Sequence, residues 1–282
     1  MFFEDLTSIN TQLKNQICIG IDPHVSNLPT FFKHELSKSP KLFLKNFSQC
    51  LIDATNNRSG SVKFQSSFFE AFGHDGVITL KESISYAKNR GLLTILDVKR
   101  GDISSTMKAY GTMAFDYMGA DAMTVLPYMG VETIQALSDW IERGKGIYMV
   151  WVSSNPSGTL IQAPIAELII DQLKELPLTN SVIPSVGLVL GATKIETFDP
   201  MLLEKVEKFP LLMPGVGAQG AELSTVCKSL LKKNQSSLLP ISRGISGLGL
   251  SSESITLEKV DSWVDYSQYL AKKIEHFLEL LK

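Results

Sequence analysis

Eight short runs of strand-forming residues recur along the chain at intervals of roughly 25 to 40 residues, with helical stretches between them. We predict strands at residues 17–21, 61–65, 93–97, 122–125, 147–152, 185–190, 211–213 and 238–242. Strands that alternate with helices are typical of a parallel sheet, and eight strands are the number that a closed barrel needs. The pattern therefore predicts an α/β protein with a TIM (β/α)8 barrel.

The stretches between the predicted strands support this fold. Residues 79–89 and 131–143 carry apolar side chains at helical spacing over enough length to form helices. No Pro/Gly/Ser linker, low-complexity segment or break in composition divides the 282 residues, so a single domain over 1–282 is predicted. An open doubly wound sheet would use the same elements and is the alternative.

The net charge and the cysteines limit the class of ligand and the compartment that we expect for this protein. The formal net charge is −2, which provides no basic field for nucleic acid or an anionic membrane, so the expected ligand is a small molecule. The three cysteines are widely spaced and form no C-x-x-C pair, which favours reduced thiols in the cytoplasm over disulfides or a zinc site. Glu4 and Asp5 stand where a signal peptide would be basic, and no apolar run approaches the roughly 18 residues of a membrane span.

Three ionisable residues lie at the end of the third predicted strand and just beyond it: Asp97, Lys99 and Asp102. Side chains of a strand alternate between faces, so Asp97 and Lys99 are predicted to share one face. A buried carboxylate beside an ammonium is either a structural ion pair or part of a site, and these two residues alone leave both open. The polar loop and helix start that follow lie where (β/α)8 barrels hold their chemistry, which favours a site.

Lys63 lies in the second predicted strand. Lysine is seldom buried without a partner, so Lys63 either extends outward to solvent or faces charges inside the barrel. Asp97 is its natural partner there, and adjacent parallel strands would place Lys63, Asp97 and Lys99 in one alternating row. After the first strand, Asp22 either caps a turn or belongs to a site. His24, two residues further on, is more simply a solvated or hydrogen-bonding bystander.

Polar loops also follow the later strands. Ser153, Ser154 and Asn155 form either a plain turn or a set of neutral hydrogen-bonding groups for a ligand. Residues 214–220 match G-x-G-x-x-G, but no acidic residue stands about 20 positions further on, as a dinucleotide site requires. Glycine lets backbone N–H groups approach a phosphate, and barrels often bind phosphate after strands seven and eight. Arg243 follows strand eight and can hold a phosphate through two parallel hydrogen bonds, although alone it could be a solvated surface arginine.

Taken together, these motifs resemble the orotidine 5′-monophosphate decarboxylase family, in particular its longer bacterial type. The likeness rests on Asp97-Val-Lys99-Arg-Gly-Asp102-Ile with Thr106, which is similar to the family's D-x-K-x-x-D-I signature, and on Lys63 in Val-Lys-Phe-Gln. It continues in unbroken order through residues 20–23, 125–130, 153–156, 187–193, 214–220 and 242–244. Ser153 stands where the longer type has threonine, and the Gly-Leu-Gly-Leu stretch at 247–250 is unusual for the family.

The resemblance implies a barrel homodimer that converts orotidine 5′-monophosphate to uridine 5′-monophosphate and carbon dioxide, the last step of de novo pyrimidine synthesis, without metal or organic cofactor. It implies a charged network of Lys63, Asp97, Lys99 and Asp102, in which Lys99 donates the proton and Asp102 and Thr106 enter the partner subunit's site. Asp22 and Lys63 would hold ribose hydroxyls and Ser154 the pyrimidine. The phosphate end would consist of Pro214, Gly215, Gly217, Gln219, Arg243 and Gly244.

The chemistry fits these residue types. Loss of carbon dioxide from C6 leaves an anion with little resonance help, so a fixed ammonium at that carbon would stabilise the charge and then supply the proton. Asp97 would lie near the departing carboxylate, where it acts either by repulsion or by positioning Lys99. One rival is a magnesium-dependent sugar-phosphate barrel, which would need an acidic residue where this chain has Lys63. The other is a barrel that binds without catalysis, which would be expected to lose part of the network.

Overall fold

The structure is a computed structural model that describes residues 1–176, 184–197, 200–215 and 225–280. Its strands are β1 (Ile17–Ile21), β2 (Ser61–Gln65), β3 (Leu93–Arg100), β4 (Ala122–Val125), β5 (Gly146–Val152), β6 (Val186–Leu190), β7 (Leu211–Leu212) and β8 (Leu239–Ile241). All pairings between them are parallel, in the order β7-β6-β5-β4-β3-β2-β1-β8.

The two ends of this sheet meet. Leu212 of β7 forms a parallel bridge to Leu238, and the Met213 N–H donates to the Leu238 carbonyl over 2.9 Å. Since β8 also pairs with β1, the eight strands close into a barrel. The predicted (β/α)8 barrel is confirmed, and the open doubly wound alternative is wrong because it would leave two free sheet edges.

Helices connect the strands and surround the barrel. The α-helices are α1 (Phe2–Leu13), α2 (Thr30–Lys38), α3 (Pro40–Thr55), α4 (Ser66–Glu70), α5 (Gly73–Lys88), α6 (Ser104–Gly111), α7 (Glu132–Gln135), α8 (Ser138–Glu142), α9 (Gly158–Glu175), α10 (Pro200–Val206), α11 (Thr225–Lys233), α12 (Arg243–Ser246), α13 (Ser254–Leu257) and α14 (Trp263–Leu280). A π-helix at Thr112–Tyr117 and 3-10 helices at Ala192–Thr197 and Ser251–Glu253 complete the described elements. None of the described helices has the length and apolar character that a membrane crossing requires.

The predicted helix over residues 131–143 is present as two short helices, α7 and α8. The chain leaves α-helical geometry at Leu137, whose N–H donates to the Ile134 carbonyl three residues back over 2.8 Å. Leu137 and Ile134 are both fully buried, so the break leaves the apolar side of the segment against the barrel. Spacing of apolar residues therefore predicted the helical segment correctly but not its interruption.

The barrel has apolar packing on both sides of the sheet, and β1 shows why. Ile17, Ile19 and Ile21 pack in the large core between the sheet and the helices, whereas Cys18 belongs to a second cluster inside the barrel. A strand buried on both faces reads as a continuous apolar run, which is how β1 appears in the sequence.

Helix α1 closes the amino-terminal end of the barrel. Phe2, Phe3 and Leu6 are buried in the inner cluster, and the Phe3 ring lies edge-on to Tyr148 with 5.2 Å between ring centroids. Because all strands run in the same direction, their carboxyl ends form the opposite mouth, which α1 leaves open. Access to the barrel interior is therefore from the carboxyl-terminal mouth, where (β/α)8 barrels hold their active sites.

Candidate active site

A cavity of about 370 Å³ lies at the carboxyl-terminal mouth of the barrel. Its apolar lining includes Val150, Val189 and Leu212, which also belong to the inner cluster of the barrel. Five charged side chains from the loop after β1, from β2 and β3, and from the start of α12 line it: Asp22, Lys63, Asp97, Lys99 and Arg243. An apolar base beneath a few convergent charges is a common composition of a ligand site.

The predicted alternating row of charges is present in this cavity. Lys63 Nζ donates to Asp97 Oδ2 over 3.0 Å, and Lys99 Nζ donates to Asp97 Oδ1 over 2.5 Å. Register explains the first contact, because Gln65 of β2 pairs with Asp97 of β3 and Lys63 lies two residues earlier on the same face. The structure therefore brings Lys63, Asp97 and Lys99 together, each carboxylate oxygen of Asp97 bound by one lysine.

These contacts set the ionisation of the buried pair. Burial by itself would raise the pKa of Asp97, but the Lys63 and Lys99 ammonium groups outweigh it and lower the pKa to about 2. Burial likewise acts to lower the pKa of Lys63, and the carboxylates of Asp22 and Asp97 reverse the effect, so its pKa is raised. Asp97 and Lys63 are therefore both charged at neutral pH.

Asp22 lies on the other side of Lys63. Its Oδ1 atom is 3.8 Å from Lys63 Nζ, beyond hydrogen-bond distance, and has no hydrogen-bond partner among the described residues although it is buried. A buried carboxylate oxygen without a donor is costly, and a ligand hydroxyl would satisfy it. The geometry therefore suits a hydroxyl donor in the cavity next to Asp22 and Lys63.

The position of Lys99 depends on an irregularity in β3. The pairing of β3 with β4 runs from Leu96 with Met123 to Arg100 with Val125, so the register shifts in between. Lys99 has φ 45°, in the left-handed region that residues with a Cβ seldom adopt. Simple alternation predicted the shared face of Asp97 and Lys99 correctly, but it did not predict the bulge that carries Lys99.

Thr124 of β4 is a cavity residue that the sequence did not single out. Its hydroxyl accepts hydrogen bonds from the backbone N–H groups of Val98 and Lys99 and donates to Asp97 Oδ1. Threonine is an ordinary residue in a buried strand, so only the observed bulge distinguishes Thr124 from other strand threonines.

The loop after β5 contributes Ser153 and Ser154 to the cavity lining. Gln162 of α9 holds this loop, because its Oε1 accepts the Ser153 backbone N–H over 2.8 Å and its Nε2 donates to Ser153 Oγ over 2.9 Å. Thr193 Oγ1 donates to the Ser154 carbonyl over 3.1 Å. The sequence predicted Ser154 as a binding residue but gave no sign that Gln162 and Thr193 fix its backbone.

Only some of the residues that we expect to bind the substrate's phosphate are among the described residues. Pro214, Gly215 and Arg243 line the cavity, and Gly215 has φ 112°, a value that favours glycine. Gly217 and Gln219 lie outside the described residues. Gly244 does not line the cavity; it packs beneath α14, where an added Cβ would come within 2.9 Å of the Phe277 ring.

Asp102 and Thr106 do not line the cavity of their own chain. The Asp102 carboxylate accepts the Ile103 backbone N–H over 2.8 Å, and Thr106 is exposed on α6. The loops after β3 and β4 carry exposed apolar side chains, with Ile103 at 46% and Tyr128 at 89% exposure. Asp102 is therefore separate from the row of Lys63, Asp97 and Lys99 within one chain.

His24 stands at the edge of the mouth. Its ring packs on Phe68, with 4.3 Å between ring centroids, and burial lowers its pKa. It does not line the cavity, in agreement with its interpretation as a bystander. Within the described ranges, no group of three or more His, Cys, Asp or Glu side chains is arranged to hold a metal ion.

The fold and the cavity define the class of protein: a (β/α)8-barrel enzyme with a lysine–aspartate–lysine row at the carboxyl ends of its strands. Comparison with known proteins gives the family. The chain belongs to the orotidine 5′-phosphate decarboxylase / HUMPS family, whose family model matches residues 15–251.

Relatives and a solved structure agree with this assignment. The chain is 36% identical over 219 residues to the orotidine 5′-phosphate decarboxylase of Salinispora tropica, a match that covers 74% of this chain and 76% of that protein. It is 31% identical over 257 residues to the enzyme of the same name from Herpetosiphon aurantiacus, covering 87% and 89% of the two chains. The structure of Leishmania donovani OMP decarboxylase superposes with a TM-score of 0.67 at 25% identity and 98% coverage of both chains.

Proposed function

We propose that this protein decarboxylates orotidine 5′-monophosphate to uridine 5′-monophosphate and carbon dioxide, a step of pyrimidine biosynthesis. The observation that carries the proposal is the row of Lys63, Asp97 and Lys99 in the cavity of a chain that belongs to the decarboxylase family. Two ammonium groups on one carboxylate provide a fixed positive field, which is what an anion developing at C6 needs.

Exposure distinguishes the roles of the two lysines. The Lys63 side chain is 6% exposed, whereas that of Lys99 is 41% exposed. A proton donor must contact the reacting carbon, so we assign this role to Lys99. Lys63 is held between Asp22 and Asp97, and we assign to it the binding of a ribose hydroxyl together with Asp22 and the orientation of the Asp97 carboxylate.

The substrate's phosphate is assigned to Arg243 and the backbone around Gly215. Both line the same cavity as the charged row, and guanidinium groups form strong paired hydrogen bonds with phosphate. Binding energy gained at the phosphate can order the substrate over Lys99 and so lower the barrier at the distant C6. Ser154, held in place by the Thr193 hydroxyl, is assigned to the pyrimidine edge.

The active form is proposed to be a homodimer. Asp102 and Thr106 lie outside their own cavity but beside exposed apolar residues, an arrangement that suits residues entering a site across an interface.

The widely spaced cysteines, with no C-x-x-C pair, fit a reducing compartment, and we place the reaction in the cytoplasm.

The test is loss of the ultraviolet absorbance of orotidine 5′-monophosphate on mixing with purified protein, in the presence of a chelator. We expect rapid loss with the unmutated protein and none with Lys99→Ala, while calorimetry shows that the variant still binds the product. No loss from folded unmutated protein, or loss that requires added magnesium, would contradict the proposal. Normal turnover by Lys99→Ala would contradict the role of Lys99.

A further inference from the structure

We propose that Thr124 is a positioning residue for the decarboxylation, which holds the ammonium of Lys99 and the carboxylate of Asp97 in their working geometry. The inference rests on the proposed function. It goes further because it assigns a role in the reaction to a residue of β4 that carries no charge.

The hydroxyl of Thr124 has its hydrogen-bonding capacity fully used. It accepts from the Val98 backbone N–H over 3.0 Å and from the Lys99 backbone N–H over 2.9 Å, and it donates to Asp97 Oδ1 over 3.0 Å. A hydroxyl has two acceptor lone pairs and one proton. Since two backbone donors occupy the lone pairs, the proton is directed at Asp97.

Backbone geometry explains why these contacts are needed. The register of β3 and β4 shifts between Leu96 and Arg100, so the ladder does not pair the bulged residues. Thr124 is fully buried at this point and supplies the acceptor that the backbone of β4 does not. The left-handed φ of Lys99 is unfavourable for a residue with a Cβ and persists only where the surroundings maintain it.

The side chain of Asp97 is oriented by the same contact. Oδ1 receives both Lys99 Nζ and the Thr124 hydroxyl, whereas Oδ2 receives Lys63 Nζ. Thr124 thus contacts the backbone that carries Lys99 and the carboxylate that Lys99 binds. A shift of about 1 Å in a reacting group can cost about 100-fold in rate, so loss of this hydroxyl is expected to lower turnover.

The test compares Thr124→Val, which keeps the shape and removes the hydroxyl, with Thr124→Ser, which keeps the hydroxyl. We expect Thr124→Val to lower kcat by about 100-fold while KM changes by less than about threefold. Thr124→Ser should keep kcat within about fivefold of the unmutated protein. Thr79→Val is the matched control, because Thr79 is as buried and its hydroxyl donates only within α5, to the Asp75 carbonyl.

A second measurement does not depend on turnover. Amide hydrogen exchange at Val98 and Lys99 should be faster in Thr124→Val than in the unmutated protein or in Thr124→Ser, with the rest of β3 unchanged. If kcat of Thr124→Val were unchanged, if Thr124→Ser lost as much activity, or if exchange at the two amides stayed the same, the proposal would be overturned. If the unmutated protein failed to decarboxylate the substrate, the proposed function would fail, and the exchange rates would still decide whether Thr124 holds this backbone.

Discussion

Lys63 and Lys99 both line the cavity and bind the same carboxylate, but the Lys63 side chain is buried and the Lys99 side chain is exposed. This difference depends on the side chain and the local backbone, and the sequence shows only that both residues are lysines. The sequence did predict which of the charged residues would meet, because strand alternation and adjacent parallel pairing place Lys63, Asp97 and Lys99 on one face. It could not predict Thr124 or Gln162, since their roles depend on contacts across elements.

Asp97 makes the stability of the fold depend on pH. Its carboxyl has an ordinary pKa of 3.8, lowered to about 2 in the folded protein, so the ionised form stabilises the fold fully above about pH 4. This stabilisation is lost as the pH falls through about 2, and the shift corresponds to about 2 kcal/mol.

We therefore expect Asp97→Asn to lower the free energy of unfolding by about 2 to 4 kcal/mol at neutral pH, because Lys63 loses its closest partner. The difference from the unmutated protein should stay constant from about pH 8 to pH 5 and shrink below about pH 4. Urea titration followed by tryptophan fluorescence measures it. Asp53→Asn, which alters a surface pair with Arg90, is the control and should cost less than about 1 kcal/mol. A difference that grows toward acid pH would contradict the assignment.

The proposed phosphate contact of Arg243 can be tested at this single side chain. A hydrogen bond to a charged group contributes about 1.5 to 3 kcal/mol, so Arg243→Ala should lower kcat/KM for orotidine 5′-monophosphate by about 10- to 150-fold. With the phosphate-free nucleoside, the variant and the unmutated protein should have equal, low rates. Arg58→Ala, which removes an arginine paired with exposed Glu275, is the control and should change neither rate. Equal losses with both substrates would show that Arg243 does not bind phosphate.

Among the elements, the strands were the most predictable part of the fold. Buried parallel strands carry apolar side chains on both faces, so runs such as Ile17–Ile21 are visible without any structure. The bulge in β3 was not predictable, because the hydroxyl of Thr124 that binds its N–H groups lies on the neighbouring strand. Nor was the function of α1, since an amphipathic helix at the start of a chain does not show which surface it will cover.

The contact between α12 and α14 connects the cavity to the outer helical layer. Gly244 follows Arg243 and lies against Phe277 of α14, so a methyl group there would meet the ring. We expect Gly244→Ala to destabilise the fold by about 1 to 3 kcal/mol through overpacking and to weaken phosphate binding by displacing Arg243. Adding Phe277→Leu should restore much of the lost stability, measured by thermal unfolding, and much of the lost phosphate binding, measured by KM. A double variant no better than Gly244→Ala would place the defect in the backbone at Gly244.

For the whole molecule, the sequence supplied the number of strands but not the closure of the sheet. A barrel and an open sheet use the same elements, and the choice between them depends on whether β8 lies between β7 and β1. In the structure, the pairing of Cys18 with Pro240 and the bridge of Leu212 to Leu238 decide it, and no local pattern encodes these two contacts.

The proposed homodimer predicts that two inactive variants can complement each other. If Asp102 completes the partner subunit's site, Lys99→Ala and Asp102→Ala should each be inactive alone, yet a mixed dimer contains one site with both residues intact. An isolated mixed dimer should therefore have about half of the activity of the unmutated dimer, and a randomly exchanged mixture, in which about half of the dimers are mixed, should have about a quarter. The experiment mixes the two variants with different affinity tags, isolates the mixed dimers and measures turnover. Mixed dimers without activity would show that Asp102 acts within its own chain.

Among the described residues, the barrel closes between β7 and β8 at one bridge, Leu212 to Leu238, whereas β5 and β6 pair at five positions. Gly215 follows β7 and Arg243 follows β8, so a bound phosphate would contact both sides of this short junction. A ligand that binds only the folded protein stabilises it, and local opening begins where few contacts hold the backbone. Proteases cleave the opened form. We therefore expect the concentration of nucleotide to determine the rate at which the protein is degraded as well as its rate of turnover.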